Sequence, residues 1–372
     1  MQFIDLGAQR ARIEDKINAA IAHVIASGQY ILGPKVTEFE ERLADYLGVK
    51  HVIACANGTD ALMMPLMAKN IGRGDAVFCP SFTFSATAEV VALVGAEPVF
   101  VDVRPDTFNI DVDKLSGAIQ MIKKEGRLKP KAIIAVDLFG LPADYEKISL
   151  LAKKENLFVI EDTAQSIGGK SNNVMCGAFG DVAATSFYPA KPLGCYGDGG
   201  AMMTNDDDME ALLRSLLFHG KGKTQYDNVR IGMNSRLDTI QAAILLEKLV
   251  IFEDEIEKRA AIAQRYSESL KDIVEVPKVK TGVCCAYAQY TIKVKNRDKL
   301  KAYLQKNGIP TMIYYNTPLH LQPAYKNFPY VKGSLSVSEY LGSCILSLPM
   351  YPYLSQGDQD KIIQCIRDFY SA

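Results

Sequence analysis

The alternation of short apolar runs with helical stretches between residues 51 and 186 constrains this chain more than any other feature. Apolar runs at 51–56, 76–79, 98–103, 132–137, 158–161 and 182–186 read as strands. Helical periodicity separates several of them, at 86–94, 113–124 and 145–156. Strands apolar on both faces need helices on both sides, and strands joined through helices return parallel. The pattern therefore predicts a largely parallel α/β sheet covered on both faces. Upstream, 13–27 reads as a helix with Ile13, Ile17, Ile21, Val24 and Ile25 on one stripe. A second helix opens at Pro34, lines up Val36, Phe39, Leu43 and Leu47, and closes at Gly48. Pro65, inside another helical run, marks a point for a kink.

Past Ser235 the pattern changes. A long helical stretch spans 237–270, strands are expected at 287–294 and 311–315, and helices at 298–307 and 356–370. The expected organisation is a large α/β domain over residues 1–245 and a smaller α+β domain over 246–372. The 372 residues suit about two domains.

Composition excludes several classes. The net charge of -1 gives no overall pull toward nucleic acid or an anionic membrane. No apolar run approaches the roughly 18 residues that span a bilayer, and no signal peptide is read at the N-terminus. The eight cysteines are scattered without a C-x-x-C pair, which suits reduced thiols in the cytoplasm. The four histidines show no metal-ligand spacing, so no metal is expected.

Four short segments carry candidate chemistry, and each also has a plain structural reading. Lys191 follows an apolar approach and precedes a turn rich in Gly194, Gly197, Gly199 and Gly200. It reads either as a lysine for carbonyl chemistry or as a surface lysine on a glycine hairpin. The turn at Asn57, Gly58, Thr59 and Asp60 joins a strand to a helix start, and serves either as an anion cradle or as an ordinary cap. Asp162 and Gln165 follow a buried strand, where ligands bind in open α/β sheets; the alternative is a solvated strand end. Phe84 also follows a strand, either to stack on a flat ring or to pack in the core. The glycines near Lys191 do not spell a dinucleotide or Walker fingerprint. Together the four segments offer a phosphate cradle, a stacking ring, a carboxylate for a ring nitrogen and a lysine for an imine. Pyridoxal phosphate is the cofactor that uses all four.

These segments, taken in order, resemble the DegT–StrS family of fold-type I pyridoxal phosphate sugar aminotransferases. The resemblance runs over nearly the whole chain. It is carried by I-D-L-x-x-Q at 4–9, G-Q-Y-I-L-G-P at 28–34, A-N-G-T-D-A-L at 56–62, E-D-x-A-Q-S at 161–166, S-F-Y-P-x-K at 186–191 and N-S-R-L-D at 234–238. It implies a seven-stranded, mostly parallel large domain with a smaller C-terminal domain. It further implies Lys191 as the Schiff-base lysine, Asp162 at the pyridine nitrogen and Gln165 at the ring hydroxyl side. Phe84 is then the stacking aromatic, and Gly58, Thr59 and Ser186 hold the phosphate. Asn234 would reach the partner subunit's cofactor, so active sites are shared in a homodimer.

Within the family, the segments around Lys191 and Asn234 look most like aminotransferases of the 3-keto group of a UDP-N-acetyl-hexuronic acid, with L-glutamate as donor and 2-oxoglutarate released. Such enzymes feed bacterial surface polysaccharides, the O-antigen of lipopolysaccharide among them. A 4-keto UDP- or dTDP-sugar is the alternative substrate, and a regulatory homologue the non-catalytic one. A dehydrating class of the family has histidine in place of the lysine, and Lys191 argues against it. Arg236 is a candidate for a substrate carboxylate, or else a partner of Asp238. Tyr314 and Tyr315 are expected near the sugar. Tyr314 and Asp137 depart from residues common in the family, in regions expected to touch substrate. A structural hydrogen bond is expected of His219. No membrane or nucleic-acid partner is expected.

Overall fold

Local signals place the first elements of the computed structural model, which describes residues 1–224 and 226–371. Helices α1 (Leu6–Arg12), α2 (Glu14–Ser27) and α3 (Pro34–Leu47) precede β1 (His51–Cys55). Asp5 caps α1 through the Ala8 N–H, and α3 starts with Pro34 at its first position. Gly48 ends α3 at φ 68°, a conformation that glycine adopts without steric cost. Val36, Phe39, Leu43 and Leu47 are all buried, as their spacing predicts. Of the stripe expected on α2, Ile13, Ile17 and Val24 are buried, but Ile25 is 55% exposed. It sits just past the edge of the face that α2 turns to the core.

The chain then alternates through α4 (Gly58–Ala68), β2 (Asp75–Pro80), α5 (Ala86–Leu93), β3 (Glu97–Val101), α6 (Val112–Glu125), β4 (Lys129–Val136), α7 (Tyr145–Glu155) and β5 (Phe158–Asp162). A small hairpin, β6 (Lys170–Ser171) and β7 (Val174–Met175), leads to β8 (Val182–Ser186), β9 (Gly200–Thr204) and α8 (Asp207–Leu216). Pro65 lies within α4, which Asn57 caps at its start and which continues past the proline to Ala68. The seven-stranded sheet has the order β1-β9-β8-β5-β4-β2-β3. All neighbours are parallel except those of β9, which runs antiparallel to both β1 and β8.

Strand β9 was not expected. Its Gly-Ala-Met-Met-Thr run carries no alternation and weak strand preference, and is a strand because β1 and β8 flank it. Every residue of β9 is buried. Large side chains such as Phe78, Ile133 and Met202 are fully buried in the sheet. Such a side chain contributes about 1.5–3 kcal/mol on leaving water.

Helix α9 (Thr239–Leu270) is continuous for 32 residues. The expected boundary at residues 245 and 246 therefore falls inside one helix. Its first half packs Leu245, Leu246 and Phe252 with Phe39, Leu43 and Phe187. Its second half packs Ile262, Tyr266 and Leu270 with Tyr290, Leu346 and Ile362. The rest of the chain forms β10 (Val283–Cys284), β11 (Tyr290–Lys293), α10 (Arg297–Lys306), α11 (Ser336–Cys344), β12 (Ile345–Leu348) and α12 (Gln356–Ser371). The expected strand at 311–315 reduces to a single antiparallel bridge between Met312 and Ser347, on the edge of β12 opposite β11. Leu319, Tyr325 and Leu335 return to the large core, so the C-terminal half also covers the large sheet. Among the described residues, no helix is long and apolar enough to cross a membrane.

Candidate active site

The loop from β8 back to β9 is a closed turn with Lys191 on it. Phe187 N–H donates to the Gly199 carbonyl at 2.8 Å, and Cys195 N–H to the Phe187 carbonyl at 2.8 Å. Lys191 N–H donates to the Tyr188 carbonyl at 2.8 Å. A β-carbon on Gly194 would stand 2.6 Å from the Pro189 carbonyl oxygen, so only glycine lets the turn close this tightly.

Asp162 ends β5, beside β8, and its Cα is paired with that of Ala184. It is 6% exposed. Its carboxylate accepts the Ala164 N–H at 3.1 Å and the Thr87 hydroxyl at 3.3 Å. Burial pushes this carboxyl above its usual range, against the pull of the Ala164 N–H, Lys191 and Thr87. Lys191 is half-buried. Loss of water pushes its amine below the usual lysine range, against the attraction of Asp162. An amine held this way is more readily neutral, and the neutral form is the nucleophile.

Around this pair the other expected cofactor residues take distinct positions. Gln165 is buried, and its side-chain oxygen accepts the Phe139 N–H at 2.7 Å. Phe82 is fully buried whereas Phe84 is 55% exposed, so the two aromatics divide between core and surface. The Phe84 ring lies 6.3 Å from that of Tyr315, which also meets Phe82 edge-on at 6.2 Å. Tyr315 stands beside Gln165 and Asp162, and burial raises its hydroxyl well above the usual tyrosine range. Tyr314 contacts Phe3 and Tyr315 through its ring.

Asn57 caps α4 by accepting the Asp60 N–H at 2.8 Å. The first closed bond of α4 is Ala61 N–H to the Asn57 carbonyl. The N–H groups of Gly58 and Thr59 precede it, at the positive end of the helix. Ser186 lies directly against Gly58. The structure thus brings Gly58, Thr59 and Ser186 to one corner of the sheet's carboxyl edge.

Asn234 and Arg236 lie between α8 and α9. Asn234 is exposed and bridges Phe218. The Arg236 guanidinium lies 5.1 Å from the Phe218 ring centre, and its buried Nε has no hydrogen-bond partner among the described residues. No carboxylate among the described residues pairs with it, Asp238 included. Ser235, between them, accepts the Ala56 N–H at 3.3 Å and ties this stretch to the start of α4. His219 is exposed, at φ 57°, and its backbone N–H donates to the Met233 carbonyl at 2.8 Å.

Asp137 stands apart from the surface expected to touch substrate. It is fully buried and accepts the Ala143 N–H, the Tyr145 hydroxyl and the Ser166 hydroxyl at 2.7–2.8 Å. Glu161, equally buried, accepts N–H groups of Gly177, Phe179 and Gly180. These two carboxylates and Cys176 lie within 4.8 Å of one another, with backbone and hydroxyl donors on their oxygens. Sequence reasoning missed Thr87 and Ser235. Thr87 sits one turn past Phe84, a spacing that would have placed it beside the same strand end.

Fold and site define a transaminase. Residues 11–367 match the DegT/DnrJ/EryC1/StrS aminotransferase family, and the chain belongs to it. It is 48% identical over 355 residues to the UDP-2-acetamido-2-deoxy-3-oxo-D-glucuronate aminotransferase of Pseudomonas aeruginosa, covering 95% of this chain and 96% of that one. A solved DegT DnrJ EryC1 StrS aminotransferase from Brucella abortus superposes with TM-score 0.99 at 68% identity, covering 100% of both chains. NtdA of Bacillus subtilis, solved with its cofactor PMP bound, superposes with TM-score 0.90 at 30% identity, covering 100% of this chain and 83% of that one. The cofactor of the family is pyridoxal phosphate, and the residues here fit it. The donor-rich corner at Gly58, the buried Asp162 and the Lys191 amine match its phosphate, ring nitrogen and aldehyde.

Proposed function

We propose that this aminotransferase moves the amino group of L-glutamate to the 3-keto group of a UDP-linked N-acetyl-hexuronic acid, on the way to a bacterial surface polysaccharide such as the O-antigen. The observation that carries the sugar assignment is the 48% identity, over nearly the full length of both chains, to a relative named for a UDP-linked 3-oxo-glucuronate. The cofactor supplies an electron sink for the carbon that loses or gains a proton. The chain supplies the rest.

Lys191 Nζ would hold the cofactor at its carbonyl carbon, and its amine would serve as the base and acid that moves the proton at that centre. Asp162 holds the proton on the ring nitrogen through its charge. The N–H groups of Gly58 and Thr59, with the Thr59 and Ser186 hydroxyls, bind the phosphate, as a helix start and its flanking hydroxyls suit an anion. Phe84 covers one face of the ring, and Gln165 orients its hydroxyl side. The Arg236 guanidinium binds the sugar carboxylate through paired N–H donors, and its lack of an acidic partner supports that role. Tyr314 and Tyr315 line the sugar's approach.

The working unit in this reading is a cytoplasmic homodimer in which Asn234 reaches the partner's cofactor. An exposed apolar rim supports an interface there. Tyr30, Ile31 and Leu32 are each close to half exposed, and Ile31 bridges Asp238. Such a patch is costly to leave in water.

The test is a spectrum. The yellow band of the loaded enzyme should bleach when the UDP-linked 3-amino uronic acid is added, and return with 2-oxoglutarate. Bleaching by a 4-amino UDP- or dTDP-sugar, with no response to the 3-amino uronic acid, would replace this substrate with the 4-keto alternative.

A further inference from the structure

Lys248 on α9 is 1% exposed, and its ammonium is bound to the loop that carries Lys191. It donates to the Gly194 carbonyl at 2.6 Å and lies 4.3 Å from the centre of the Tyr196 ring. Two turns earlier on the same face of α9, the Gln241 side-chain oxygen accepts the Tyr196 N–H at 2.8 Å. The Gln241 amide nitrogen reaches the Tyr196 carbonyl at 3.4 Å. One helix face therefore grips residues 194–196 from behind.

The grip falls where the turn is tightest against its own backbone. Gly194 packs against the Pro189 and Tyr188 carbonyls, so the turn is closed on its inner side. Its carbonyl points outward to Lys248. Burying an ammonium is costly unless it is paired and hydrogen-bonded. Lys248 has one carbonyl and one ring face, and burial pushes its amine down to about 8 despite Glu255 and Cys195 nearby. A Leu or Met would fill the space at lower cost. Glu255, seven residues on, accepts from Gln9 at 2.8 Å and from the Tyr353 hydroxyl, which ties the helix to both chain ends.

We propose that Lys248 is a positioning residue for the transamination: its ammonium holds the Gly194 carbonyl and thereby fixes the direction in which the turn presents the Lys191 amine. This rests on the reading of Lys191 as the cofactor-binding lysine. Gln241 is the second, uncharged point of the same clamp.

The test compares wild type, Lys248→Met and Gln241→Leu, each loaded with pyridoxal phosphate, per mole of bound cofactor. A displaced amine loses alignment with its target carbon, and small misplacements of reacting groups cost about tenfold or more in rate. For Lys248→Met we expect kcat down about tenfold, with KM for the sugar within about twofold. The pH at which the yellow band titrates should also move, which a merely structural residue would not cause. Gln241→Leu should change both in the same direction by less. If Lys248→Met does not fold, Gln241→Leu decides alone, and an unchanged kcat and band pH overturn the inference. The same unchanged values in Lys248→Met overturn it directly. Those failures differ from that of the underlying reading, in which wild type itself would acquire no yellow band.

Discussion

Gly58 and Ser186 touch so closely that a β-carbon on Gly58 would lie 2.6 Å from the Ser186 β-carbon. The start of α4 and the end of β8 are thereby pressed into one corner, which brings the N–H groups at the start of α4 beside Ser186. Gly58→Ala must push these elements apart. Cofactor affinity should fall at least about tenfold, roughly 1.4 kcal/mol, while the fold survives. Fluorescence titration of the apoenzyme with pyridoxal phosphate measures it, and unchanged affinity would remove this corner from the phosphate site.

In the proposed function, Asp162 acts on the ring nitrogen through charge rather than shape. Asp162→Asn keeps an oxygen for the Ala164 N–H, turns its amide toward the Thr87 hydroxyl, which can rotate to accept, and loses the charge. The yellow band should persist while kcat falls about 10²–10³-fold, the scale for one preorganised electrostatic contact. A kcat within about twofold of wild type would show that the carboxylate is not used.

The difference between Asp162 and Asp137 shows what the sequence makes legible. Both close an apolar strand of the same sheet, and Val136 pairs with Asp162, so Asp137 is one step further along. Side chains alternate across a strand, and that single step turns Asp137 away from the cofactor edge and under the loop to Tyr145. Motif order marks Lys191, Asp162 and the Gly58 turn because each depends on neighbours in the chain. The alternation marks the parallel strands for the same reason. Lys248, Ser235 and strand β9 were not legible, because each acquires its role from partners 54 to 179 residues away or from flanking strands.

Asp137 predicts a pH dependence of stability. Burial pushes its carboxyl up to about 7, against the Ala143 N–H and the Ser166 and Tyr145 hydroxyls. An unfolded aspartate titrates near about 4. The folded state therefore holds a proton that the unfolded state has released, so this group's contribution is full below about pH 4 and is lost as pH rises to about 7. Asp137→Asn lacks that proton, and the Ser166 hydroxyl can rotate to accept from its amide. Urea unfolding should show wild type losing stability relative to the variant as pH rises from about 4 to about 7. A constant difference across that window would contradict the assignment.

Arg236 should govern substrate charge. Arg236→Met keeps the contact with Phe218 and removes the donors. KM for a uronic-acid sugar should rise about 10–100-fold, the scale of a lost charged hydrogen bond, with little change for a neutral sugar of the same nucleotide. Equal effects on both sugars would place Arg236 in the scaffold instead.

The covalent role of Lys191 is tested most directly by borohydride reduction of the loaded enzyme followed by peptide mass mapping. One cofactor-bearing peptide is expected, with the added mass on Lys191, and its loss in Lys191→Ala. An adduct on Lys248 or another lysine, or none in wild type, would contradict it.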